Sequence, residues 1–168
     1  IGLKERGKWY RIVDIEHCLI SNPEVNNLLS EVRAVFPEVD PFIEREKRGT
    51  FKYAVIRATS LTSSVTFILN NRSPQKERAE ELIRCFAEKS DADSVLCGYV
   101  SPKSPVSISS VIKVIKGVEF LKEQIEGKEF AFHTQGFFQN NTVMARKLAE
   151  YVMKIFAGRK GGQLIDLY

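Results

Sequence analysis

Two strand-like runs with a very short link between them set the strongest limit on this fold. Residues 50–59 (TFKYAVIRAT) and 64–70 (SVTFILN) are rich in β-branched and aromatic side chains, and Val65, Phe67 and Leu69 alternate onto one face. The link, residues 60–63, is far shorter than the roughly dozen residues a parallel crossover needs. The pair therefore reads as an antiparallel hairpin.

The neighbouring segments extend this pattern. Residues 8–15 (KWYRIVDI) read as a strand. Residues 21–36 read as a helix with Asn22 as N-cap, Pro23 at its first position, and Val25, Leu28, Leu29, Val32 and Phe36 at helical spacing. A second helix is expected over residues 73–90, capped by Ser73, opened by Pro74 and buried through Ala79, Leu82, Ile83 and Phe86. Residues 93–100 read as a strand, 101–110 as a mobile Ser/Pro-rich loop, and 111–134 as short strands turning near Gly117 and Gly127. The class is α+β: a mainly antiparallel sheet with helices packed on one face. After residue 141 the pattern changes, with a domain boundary expected near residues 134–140. A helix over 141–156 carries Met144, Leu148, Tyr151, Val152 and Ile155 on one side and ends at Gly158; a Gly-Gly turn and the apolar run 163–168 follow. That order opens a parallel α/β layer, so residues 1–135 are expected to form one domain and 136–168 the start of a Rossmann-like one.

Composition limits the function classes. The 168 residues are 43% hydrophobic and 10% aromatic, enough for a packed core, so general disorder is excluded. A net charge of +4 is compatible with a polyanionic partner. No apolar run approaches the roughly 20 residues that cross a bilayer, and no membrane partner is expected. Cys18, Cys85 and Cys97 cannot build a disulfide framework, which suits the cytoplasm. The chain begins at Ile1 without a methionine and stops within an apolar segment, which reads as a piece of a longer protein.

The chemistry-bearing residues concentrate in two places. Residues 137–141 (FFQNN) put two aromatics and three amides directly before the third helix, and residues 164–168 (LIDLY) form a strand with an acidic residue near its end. Together they resemble the S-adenosylmethionine-dependent RNA uracil-5-methyltransferases, which make 5-methyluridine in tRNA and ribosomal RNA. That family carries an F-x-Q-x-N motif, matched by Phe137, Gln139 and Asn141. An amphipathic helix and an LDLY-type strand follow in the family, matched by Leu164, Asp166, Leu167 and Tyr168 with Ile165 interposed. Gly136 stands where the family often has Asp or Ser. The resemblance implies that Gln139 lies beside the cofactor and the target base, and that Tyr168 touches S-adenosylmethionine at the carboxyl end of the first parallel strand. It implies that Phe137 packs the pocket or stacks on a base. It further implies that a uracil is turned out of its stack, that a cysteine thiolate adds to the ring, and that a base removes the C5 proton. That thiolate, the base and the glycine-rich turn belong downstream, so no catalytic residue is expected within this chain. In many members a cysteine placed like Cys18 is the fourth ligand of a [4Fe-4S] cluster whose other three ligands lie upstream.

Simpler readings stand beside these. Asn141 can be a helix cap alone, Phe138 a core residue, Cys85 and Cys97 buried hydrophobes, and His17 and His133 structural or exposed. Arg45, Lys47, Arg48, Lys52 and Arg57 can contact phosphate or form a solvated charged face interleaved with Glu44 and Glu46. Two other functions remain open: an RNA-binding module without catalysis, and an iron–sulfur protein using Cys18.

Overall fold

The computed structural model describes residues 1–36, 39–158, 161–163 and 165. Strands β1 (Gly2–Glu5) and β2 (Lys8–Asp14) form an antiparallel hairpin, followed by helix α1 (Pro23–Val35). Strands β3 (Phe51–Ala58), β4 (Ser63–Asn70), β5 (Ser94–Val100) and β6 (Ile112–Lys116) form the main sheet in that spatial order, with helix α2 (Lys76–Lys89) between β4 and β5. Strands β7 (Phe120–Ile125) and β8 (Lys128–His133) form a third, two-stranded sheet, and helix α3 (Thr142–Phe156) follows.

The hairpin expected from the short link is present: β3 pairs antiparallel with β4, Val55 opposite Thr66 and Arg57 opposite Ser64. The β4–β5 pair is parallel, because α2 supplies the crossover that returns the chain to the same edge. All other strand pairings are antiparallel. The mainly antiparallel α+β class holds, but it is divided among three sheets.

Alternation along β4 assigns its two faces. Val65, Phe67 and Leu69, with Val95 and Cys97 of β5, pack against Leu28, Val32, Ala79, Ile83 and Phe86 of the two helices and against Phe36. Phe67 sits at the centre, 5.0 Å from the ring of Phe36 and 5.3 Å from that of Phe86, the latter edge-on. Each such ring contributes about 1.5–3 kcal/mol through burial. All eight residues of β4 are buried, so its other face is covered too.

Capping follows the sequence at α1, where Asn22 Oδ1 accepts the Glu24 N–H at 2.9 Å. At α2 the helix starts later than expected. Ser73 and Pro74 lie in a turn, Ser73 Oγ accepts the Gln75 N–H at 3.1 Å, and Ser73 also bonds the Thr50 hydroxyl. Ser73 therefore closes the turn against β3 instead of capping the helix. Cys85 is exposed, off the buried stripe of α2, whereas Cys97 is buried as expected. The 101–110 segment is tied down: Lys52 Nζ donates to the carbonyls of Ser101, Pro102 and Ser104, and Tyr53 Oη to that of Pro105.

Helix α3 has the amphipathic pattern read from the sequence, yet none of its residues is buried. Met144, Leu148, Tyr151, Val152 and Ile155 are all exposed. The covering surface for that stripe is not found among the described residues. Gly158 ends the helix at φ +85°, a value open to glycine without strain. The expected strand 163–168 falls largely outside the described residues, Tyr168 included.

Candidate functional site

The loop from Thr134 to Asn141 leaves the β7–β8 sheet and enters α3, and its first three residues are fixed from three directions. Thr134 N donates to Glu119 O at 2.8 Å, holding the exit of β8 beside the start of β7. The Gln135 side chain bonds the Ser109 backbone twice, accepting from its N–H at 2.7 Å and donating to its carbonyl at 2.9 Å. Arg57 Nη1, from the main sheet, donates to Gly136 O at 2.5 Å. His133 adds a local turn: its Nδ1 accepts the Gln135 N–H, its carbonyl accepts the Gly136 N–H, and its ring packs edge-on against Phe120. His133 is thus structural.

The sheet under this loop is itself docked through a buried carboxylate. Glu123 on β7 is 1% exposed and accepts from the Ser60 N–H, the Ser60 hydroxyl and the Gln124 N–H. Thr59 Oγ1 donates to Lys122 O at 2.5 Å beside it. The β3–β4 turn thereby clamps β7.

What the anchored loop presents differs from residue to residue. Phe138 turns inward and stacks on Phe132, ring centroids 4.1 Å apart and planes 3° from parallel, with Phe130 at 6.2 Å. Phe137 turns outward and is 80% exposed. Gln139 is exposed, and its side-chain amide has no hydrogen-bond partner among the described residues. Asn141 Oδ1 accepts the Met144 N–H at 3.0 Å and caps α3. The loop therefore offers one aromatic face, at Phe137, and two primary amides, at Gln139 and Asn140, without partners among the described residues. Such an amide can donate and accept at once, which suits reading a base edge or a cofactor.

Cys18 lies elsewhere, between β2 and α1. Asn26 holds its backbone through both amide atoms: Oδ1 accepts from Cys18 N at 2.7 Å and Nδ2 donates to Cys18 O at 3.2 Å. Ser21 Oγ donates to its Sγ at 3.1 Å, and that bond holds the thiol below its ordinary pKa. Among the described residues no group of three or more His, Cys, Asp and Glu gathers where it could hold a metal ion.

The basic run disperses. Arg45 stacks over the Tyr10 ring at 3.7 Å, Lys47 pairs with Glu44, Arg48 pairs with Glu46, and Lys52 pins the 101–105 segment. Arg57 alone joins the motif loop. Sequence reading missed the roles of Gln135, Ser109 and Glu123, and no local signal marks them. Arg57 and Gly136, for example, are 79 residues apart.

Over its whole length the chain is 29% identical to the tRNA (uracil(54)-C(5))-methyltransferase of Pyrococcus furiosus, and over 92% of its length 30% identical to an RNA methyltransferase of Leptospira interrogans. The chain is a relative of the RNA uracil-5-methyltransferases. It spans 39% and 35% of those two RNA methyltransferases, respectively. Its fold matches the crystal structure of the Pyrococcus abyssi tRNA (uracil-54, C5)-methyltransferase bound to S-adenosyl-L-homocysteine. The TM-score is 0.63 at 24% identity, covering 95% of this chain and 38% of that methyltransferase. No family model matches the chain.

Proposed function

We propose that the protein transfers a methyl group from S-adenosylmethionine to C5 of a uridine in a structured RNA, tRNA being favoured by the name of the Pyrococcus furiosus relative. Residues 1–135 form its central domain, and residues 136–168 open the Rossmann-like domain that binds the cofactor. The observation that carries this reading is the anchored 134–141 loop, with Phe137 80% exposed and the Gln139 amide without a partner among the described residues. A large apolar ring held out into water costs free energy unless a partner covers it, and an unstacked base is a fitting cover.

The roles follow from those positions. Phe137 stacks on a base, which supports the extrusion of the target uridine. Gln139 orients the reactants through its amide, and Tyr168, which lies outside the described residues, contacts the cofactor. S-adenosylmethionine, when bound, supplies a methyl group on a positively charged sulfur. The nucleophilic thiolate and the base come from outside this chain. Cys18 is the residue that would ligate a [4Fe-4S] cluster in the longer protein. Its fixed backbone and lowered thiol pKa suit a ligand, but the described residues supply only that one thiolate of the usual four. An RNA substrate and three free cysteines fit a cytoplasmic location.

The test is methyl transfer from labelled S-adenosylmethionine to an unmodified tRNA transcript by the full-length protein, with nucleoside analysis of the product. We expect 5-methyluridine, and at least a hundredfold loss of turnover in Gln139→Ala with an unchanged melting curve (about 2.7 kcal/mol or more of lost transition-state binding). RNA binding without methyl transfer in the wild type would instead favour a non-catalytic RNA-binding module.

A further inference from the structure

Arg57 does more than hold the loop. Its side chain points from β3 to the face of the sheet opposite the helices and lines a cavity of about 100 Å³ with Val55, Thr66, Ser107, Thr134 and Gln135. No acidic residue lines that cavity. Among the described residues, no carboxylate pairs with Arg57, and its single hydrogen bond goes to the Gly136 carbonyl. Thr66 and Thr134, both nine-tenths or more buried in the cavity wall, carry hydroxyls without a partner among the described residues. Burial alone acts on the guanidinium, lowering its pKa, with no charged neighbour to offset the loss of water.

A half-buried cation without a counter-charge is costly, and structures normally pair such a group. Here the rest of the guanidinium fork, which matches the geometry of phosphate oxygens, is unclaimed. The cavity lies beside Gly136, and Gly136 immediately precedes Phe137. We propose that this cavity receives one backbone phosphate of the RNA, that of a nucleotide next to the base stacked on Phe137. Arg57 would then couple phosphate binding to the loop: one Nη anchors the Gly136 carbonyl while the remaining donors hold the phosphodiester. This inference rests on the RNA-methyltransferase reading above.

The experiment measures the affinity of the full-length protein for a tRNA transcript between about 50 and 200 mM salt. Each phosphate contact adds about 0.7–0.9 to the slope of log affinity against log salt. Arg57→Gln keeps a donor for the Gly136 carbonyl and removes the charge; Arg57→Lys keeps the charge. The Gln variant should lose close to one contact's worth of slope, so the fourfold rise in salt should weaken it about 2.6- to 3.5-fold less than the wild type; the Lys variant should keep the wild-type slope. An unchanged slope in Arg57→Gln overturns the proposal. Calorimetric titration of the wild type and Arg57→Gln with inorganic phosphate gives a second reading. Saturable heat in the wild type that is lost in the variant supports the cavity as the site, and its absence from the wild type counts against it. Phosphate binding combined with an unchanged RNA slope refutes the RNA assignment, since the cavity would then take only a free anion. Should the wild type bind no RNA, the methyltransferase reading fails on its own and the phosphate titration decides the cavity.

Discussion

Phe137 and Phe138 are chemically identical neighbours, and the structure predicts opposite consequences for their removal. Phe138 is mostly buried, so truncation to alanine forfeits about two-thirds of the 1.5–3 kcal/mol a fully buried ring contributes. Its parallel stack on Phe132 adds about 0.5–1.5 kcal/mol. The sum is about 2 kcal/mol, a fall in melting temperature of about 4–8 °C for a chain of this size. Phe137 is 80% exposed and has little packing to lose, so Phe137→Ala should stay within about 0.5 kcal/mol of the wild type. Its loss should appear in RNA binding instead. One base–aromatic stack is worth about 1–3 kcal/mol, a fall in affinity of about 5- to 150-fold. Thermal melting by circular dichroism and fluorescence anisotropy with a tRNA transcript, applied to both variants, separate the two effects. A melting shift in Phe137→Ala as large as that in Phe138→Ala, or undiminished RNA affinity in Phe137→Ala, would refute the assignment of one ring to the core and the other to the ligand.

Other expectations follow from the same contacts. Glu123→Ala strips the acceptor from three donors at the β7 docking point and should cost about 2–3 kcal/mol in urea unfolding, with faster amide exchange at Thr134 and Gly136. Burial pushes the Cys97 thiol up to about 11, above its ordinary 9.0. The unfolded thiol therefore ionises first as pH rises: the stability is complete below about pH 9 and declines between about 9 and 11, by about 2 kcal/mol. Cys97→Ala should remove that part of the decline in urea midpoints measured across the window. Iodoacetamide should label exposed Cys85 in the folded protein and spare Cys97 until unfolding. Ser21→Ala should slow labelling of Cys18 near neutral pH by removing the bond that favours its thiolate, as peptide mass spectrometry can follow.

Much of the architecture was legible because it depends on residues close together in the chain. A four-residue link dictates an antiparallel hairpin, Asn22–Pro23 opens a helix wherever it packs, and Asn141 caps α3 through a residue only three positions away. The motif residues Phe137 and Gln139 were legible too, as residue types at a fixed spacing. Local reading failed where a distant competitor claimed the group. Ser73 has the chemistry of an N-cap, but Thr50 and the turn at Gln75 take its hydroxyl, and the helix waits for Lys76. The charged run from Arg45 to Arg57 looked continuous, yet each member answers to a different partner.

The sequence alone therefore determined most of the helices and strands and the spacing of Phe137, Gln139 and Asn141, since periodicity and capping act over a few residues. Only the tertiary structure decided that β4 and β5 run parallel and that Phe138 goes in while Phe137 stays out. It also decided that one arginine on β3 both steadies the motif and faces an uncharged cavity. Those outcomes depend on contacts between residues tens of positions apart, whose geometry is set by how the sheets pack and by no local pattern.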